Sequence, residues 1–151
     1  MINSFRDDYF FLSNFYSAPV TYNGITYKNN EAAFQAQKCL DADIKNKFAN
    51  LDPGQAKRLG RCVDLREDWE EVKFAIMQEI IDSKFDQNPE LAEKLLQTGI
   101  EYLEEGNNWG DRIWGTVNGK GENNLGKILM NTRDKLKGLE TPLLLKGEWY
   151  E

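Results

Sequence analysis

From Trp69 onward, apolar residues recur at Val72, Ile76 and Ile80, and the run ends at Phe85. That spacing keeps one stripe of a helix apolar and predicts the longest helix, from about Arg66 to Phe85. Before it, residues 9–28 read as strand and turn. Asn23-Gly24 lies between Tyr22 and Ile25 in YNGITY, the residue pair a tight hairpin turn requires. Asn29 or Asn30 is placed to cap a helix across EAAFQAQKCL, with Glu31 favoured at its positive end. A short helix is expected over about residues 43–50. Asp52-Pro53 has the cap-then-proline order of a first turn leading into QAKRLGR.

Asn88-Pro89 opens a further helix over ELAEKLLQT, and Gly99 stops it. IEYLEE reads as a short strand and RIWG as another. The last helix is expected to start at Asn123 or Asn124, to carry Leu125, Ile128, Leu129 and Leu136, and to end at Gly138. Leu143, Leu144, Leu145 and Trp149 are expected to pack back on the domain. The absence of a repeat or linker gives one domain over residues 1–151. Its class is α+β, mostly helical, with a few short N-terminal and central strands.

Composition narrows the chemistry. A chain of 151 residues with 40% hydrophobic side chains can bury a core without metal or disulfide staples. No apolar run nears the roughly 18 residues that cross a bilayer, and MINSFRDDYF lacks the pattern of a signal peptide, so a cytoplasmic location is expected. Cys39 and Cys62 are expected on apolar helical stretches, in no metal-like spacing, and are read as buried thiols. Nineteen basic against 25 acidic residues give a net charge of −6, which disfavours extended nucleic-acid binding. The chain has no histidine. Ser-His-Asp and Cys-His nucleophile systems and histidine-ligated zinc are thereby excluded, which leaves carboxylates, lysine, arginine, tyrosine, amides and backbone.

Three polar segments rich in aromatics stand out. In FFLSNFY, residues 10–16, Ser13 and Asn14 sit between aromatics; the plain alternative is a turn in which Asn14 bonds its own backbone. In NNEAAFQAQK, Glu31, Gln35 and Lys38 share one helical face. That face could be a solvated stripe, but small and apolar residues on the opposite side suggest partial cover for both. A carboxylate held at a helix start is stabilised as an anion, which suits a base or the stabiliser of a cation better than an acid. Residues 104–133 combine carboxylates with asparagines, Trp109 and Trp114, and glycines ahead of a helix, where backbone amides could approach an anion. GKGENNLG has neither the Walker order nor the dinucleotide fingerprint, so a loop is the plainer reading.

Taken in order, these segments resemble the NADAR family, also called YbiA-like. The chain supplies Leu12-Ser13-Asn14-Phe15, then Glu31, Gln35-Ala36 and Lys38. Arg66, Asp68-Trp69-Glu70 and Lys73 follow, then Asp111 with Trp114-Gly115. The match closes with Gly119, Gly121, Asn123, Leu125-Gly126, Leu129-Met130 and Arg133. It covers about residues 10–137. The family's histidine after the helix glutamate is replaced by Ala32, and its preceding proline-threonine by Lys28-Asn29-Asn30. These departures bear on substrate choice more than on chemistry.

The resemblance implies hydrolysis of ribosyl N-glycosides. The substrate class is phosphorylated riboflavin-pathway intermediates or, alternatively, ADP-ribose on guanine or nucleic acid. A non-catalytic module binding NAD or ADP-ribose is the reading from another class. Cleaving a C1–N bond builds positive charge on the ribose, which a neighbouring carboxylate stabilises. Glu31 and Asp111 are the catalytic candidates, with Glu105 third. Ser13, Asn14, Phe15, Gln35, Lys38, Trp69, Asn107, Trp114 and Asn124 are the expected substrate contacts, although core packing is the commoner role of a tryptophan on an apolar helix face. Lys38, with Lys57 or Arg61, could hold a phosphate. No cofactor and no metal are expected. The expected partner is a small ribosyl phosphate or ADP-ribose-type molecule, with nucleic acid only as an ADP-ribosylated substrate.

Overall fold

The computed structural model describes residues 1–138 and divides them into two compact units. One is Asn14–Asn88; the other combines Met1–Ser13 with the chain from Pro89 on. The class is α+β with helices dominant.

The Asn14–Asn88 unit begins with an antiparallel hairpin of β1 (Ser17–Tyr22) and β2 (Ile25–Asn29). Asn23 and Gly24 both take positive φ, 49° and 84°, the geometry that joins strands through two residues. Val20 pairs with Tyr27, and both are buried. The register slips between Ser17 and Val20, where Pro19 has no amide hydrogen to donate.

Helix α1 (Asn30–Ala36) follows directly. The Asn29 side chain caps it by accepting from Ala32 N at 2.7 Å. Every residue of α1 is buried, because the helix packs against α3, α4 and both strands. It stops four residues short of Leu40. Helices α2 (Ala42–Asn46) and α3 (Pro53–Gly60) come next, α3 closed by a capping box between Asp52 and Gln55. Helix α4 (Trp69–Gln87) is the longest, and it buries Phe74, Ile76, Met77, Ile80, Ile81 and Phe85. Each such side chain is worth about 1.5–3 kcal/mol of burial.

The second unit opens with a 3-10 helix, Asp7–Leu12, where strand was expected. Helices α5 (Pro89–Gln97) and α6 (Asn124–Leu136) pack together. Gly99 and Gly138, at φ 65° and 82°, follow their ends. Arg133 is buried and donates through Nη1 to Thr98 Oγ1 and Glu101 O, each at 2.9 Å, tying α6 to the turn after α5.

The expected central strands reduce to isolated bridges. Within IEYLEE, Leu103 pairs with Ile2, and RIWG forms no strand. The N-terminal segment joins IEYLEE through Ile2 N to Tyr102 O and Glu104 N to Ile2 O. Cys39 is buried, but Cys62 is exposed, contrary to expectation, because it falls in the turn after α3. The segment holding Leu143–Leu145 and Trp149 lies outside the described residues.

Candidate active site

In the Asn14–Asn88 unit, the first turn of α1 is built around Asn14. Its carbonyl accepts from Glu31 N at 3.1 Å, its Oδ1 accepts from Asn30 Nδ2 at 3.4 Å, and its own Nδ2 reaches Met77 Sδ at 3.5 Å. Asn14 therefore satisfies an orphan amide of the helix start, and it is buried in doing so. Ser13 ends the 3-10 segment, its amide bonded to Phe10 O.

Glu31 is 8% exposed, in the first turn of α1, where the helix dipole favours its charge. One turn on, Gln35 Nε2 donates to Glu31 Oε2 at 2.7 Å. Lys38 follows the helix. Burial lowers its pKa from the ordinary lysine value, Glu31 opposes that shift, and the charges of Arg61 and Lys57 add to it. Electrostatically, then, Lys38 is coupled to one carboxylate and two cations. Lys57 also lies 5.7 Å from the ring of Phe15, which is 41% exposed. Glu31, Gln35 and Lys38 thus share one neighbourhood, with Lys57 and Arg61 contributed from α3 and its end.

The second unit holds Glu105, Asn107, Asp111 and Trp114 in one heavily bonded loop, with Asn124 at the start of α6. Asn107 Nδ2 donates to Asp111 O at 2.8 Å, and its Oδ1 accepts from Asp111 N at 3.1 Å. Asp111 Oδ1 accepts from the amides of Ile113 and Trp114. Asn123, at φ 53°, accepts from Glu105 N and donates to Leu103 O. Asn124 is fully buried, and its Nδ2 donates to Ile113 O and Glu122 Oε1. Glu105 and Trp114 are half-buried.

The glycines of this loop do not open the start of α6 to an anion in the way the sequence suggested. The amides of Asn123, Asn124 and Leu125 donate to the carbonyls of Gly115, Ile113 and Trp114. Gly126 instead allows close approach of Leu103 O, and Gly115 that of Glu105 O.

The motif around α4 is architectural too. Arg66 grips Asp68 through two nitrogens, at 2.6 and 3.1 Å, and Lys73 pairs with Glu70. Trp69 is 6% exposed, its ring 5.0 Å from that of Phe34. The structure places it in the core, the alternative weighed for it. Gly60, given no role in the sequence although it falls in QAKRLGR, lies against Gln35. The available signal was a glycine within the last turn of a well-capped helix.

Fold and site together define an α+β domain whose candidate chemistry rests on a buried carboxylate beside a lysine, without histidine. The chain belongs to the NADAR domain family, whose profile matches residues 2–137. It is similar to the N-glycosidase YbiA of Shigella flexneri, 39% identical over 140 residues, which span 88% of this chain and 85% of that protein. It is 38% identical over 131 residues to a riboflavin biosynthesis protein of Vibrio vulnificus, covering 84% of this chain but 35% of the longer relative. The NMR structure of Escherichia coli YbiA matches with a TM-score of 0.78 at 36% identity, over 91% of this chain and 87% of that one. Among the described residues, no helix is long and apolar enough to cross a membrane.

Proposed function

We propose that this chain is an N-glycosidase that hydrolyses the bond between a base or amine and a phosphorylated ribose. The observation that carries the reading is Glu31, a buried carboxylate at a helix start, with Gln35 on one oxygen and the cation of Lys38 coupled to it. As the C1–N bond lengthens, its electron pair leaves with nitrogen and the ribose ring gains positive charge. Glu31 stabilises that charge and accepts the proton of the water whose oxygen bonds to C1. The leaving nitrogen takes up a proton as it departs. Lys38, supported by Lys57 and Arg61, holds the phosphate.

The names of the relatives support this class, N-glycosidase for one and riboflavin biosynthesis for another. They favour a riboflavin-pathway intermediate over an ADP-ribosyl adduct. Small-molecule turnover also suits the acidic balance of the chain. The test is incubation with phosphorylated riboflavin intermediates, NAD, ADP-ribose and ADP-ribosylated guanine, read by mass for released base and ribose phosphate. Release from the riboflavin intermediates is expected. Release only from the guanine adduct would move the substrate assignment, and binding of NAD without release from any compound would overturn the enzyme reading.

A further inference from the structure

Gln35 is 7% exposed, and its two amide atoms have unequal fates. Nε2 donates to Glu31 Oε2, whereas Oε1 is buried without a hydrogen-bond partner. An orphaned buried acceptor is unfavourable, and rotating the amide would be worse, since two acceptor oxygens would then face each other. The orientation of Gln35 is therefore dictated by the carboxylate of Glu31.

Helix α3 supplies the other half of the arrangement. A Cβ on Gly60 would collide with Gln35 Oε1 and lie 2.8 Å from its Cδ and 3.3 Å from its Cβ. Gly60 lies inside α3 and is not among the positive-φ residues, so its backbone would accept any L-residue. Helix propensity disfavours glycine there. What excludes a side chain is the space taken by Gln35.

We propose that Gln35 is the positioning residue of Glu31, and that Gly60 keeps open the space from which Gln35 fixes the carboxylate plane. The catalytic consequence rests on the N-glycosidase reading; the positioning itself does not. Glu31 then meets substrate with one oxygen already committed to an amide and its charge supported by a donor. Lys38 is coupled to Glu31, and Lys57 and Arg61 are coupled to Lys38.

The test uses Gln35→Met, which keeps length and removes the donor, with Gly60→Ala and the double variant. The side-chain carboxyl of Glu31 is titrated by carbon-13 NMR in each, and kcat and KM are measured alongside. Loss of the donor should raise the Glu31 pKa in both single variants. Its misplacement should lower kcat by roughly tenfold to a hundredfold with little change in KM. Because Gly60→Ala acts through Gln35, the double variant should match Gln35→Met alone. An unchanged Glu31 titration in Gln35→Met overturns the proposal, as do effects of the two substitutions that simply add. Should Gly60→Ala fail to fold, Gln35→Met decides by titration. A parent protein that cleaves none of the substrates sinks the N-glycosidase reading, while the titration still decides the positioning.

Discussion

Asp111 sets the backbone course of Trp114: its Oδ1 accepts from Trp114 N at 2.9 Å and from Ile113 N at 3.0 Å. This is the work of a capping carboxylate, done within a loop. The side-chain amide of Asn107 holds the same residue through its backbone, so Asp111 is fixed from both directions. Its oxygen acceptor and its charge are separable by substitution.

Asp111→Asn keeps the acceptor and removes the charge. The variant is expected to retain the parental melting temperature and substrate binding while losing most of kcat, by about a hundredfold or more. Asp111→Ala should also lose about 1–2 kcal/mol of stability with its two bonds. Denaturation and steady-state kinetics on both variants check this. Parental turnover in Asp111→Asn would confine Asp111 to loop architecture and make Glu105 the next carboxylate to replace.

Glu31→Gln preserves size and can still bond Gln35. A drop in kcat of about a hundredfold or more, with KM and the fold retained, is expected if the charge of Glu31 serves the transition state. Near-normal turnover would remove Glu31 from the mechanism.

The parts of the fold that were legible in the sequence are those fixed by neighbouring residues. Asn23-Gly24 specifies its own turn, and Asn29, Asp52 and Gly99 cap or stop helices within reach of their own side chains or backbone. The early end of α1 was not legible, because it depends on a distant partner. After Ala36 the amides of Gln37 and Lys38 bond only three residues back, and Lys38 O is taken by Arg66 N. IEYLEE has the look of a strand, yet its partner is the N-terminus itself, which no local pattern announces. At the site, the pairing of Glu31 with Gln35 follows from helical spacing, whereas Lys38 lies in the turn beyond α1 rather than on the helical face the spacing predicts. The role of Gly60 does not follow from spacing, since it exists only where two helices meet.

Lys38 offers a test of substrate phosphate binding. Lys38→Ala should raise KM by roughly tenfold or more, with kcat and the melting temperature little changed. Because burial lowers the pKa of Lys38, its charge is lost at a lower pH than for an ordinary lysine. KM for a phosphorylated substrate should therefore climb on the alkaline side before the usual lysine range, and Lys38→Arg should delay that climb. Unfolding of Lys38→Ala with KM intact in the folded fraction would make the residue structural.

Lys84 supplies a prediction about stability alone. It is 2% exposed within α4, near the rings of Tyr16 and Phe85, and burial lowers its pKa from the ordinary 10.5 to about 7. Below about pH 7 the side chain is charged in the folded and unfolded states alike, and the cost of burying the cation is fully present. Between about 7 and 10.5 the unfolded chain binds more protons than the folded one, so stability rises with pH across that window. The gain is on the order of several kcal/mol at its upper limit. Lys84→Met removes the titrating group while keeping an unbranched apolar stem. The stability difference between Lys84→Met and the parent, from urea denaturation at pH 6, 8 and 10, should therefore favour the variant most at pH 6 and shrink steadily toward pH 10. A difference that stays flat across the series would show that Lys84 does not change protonation on folding.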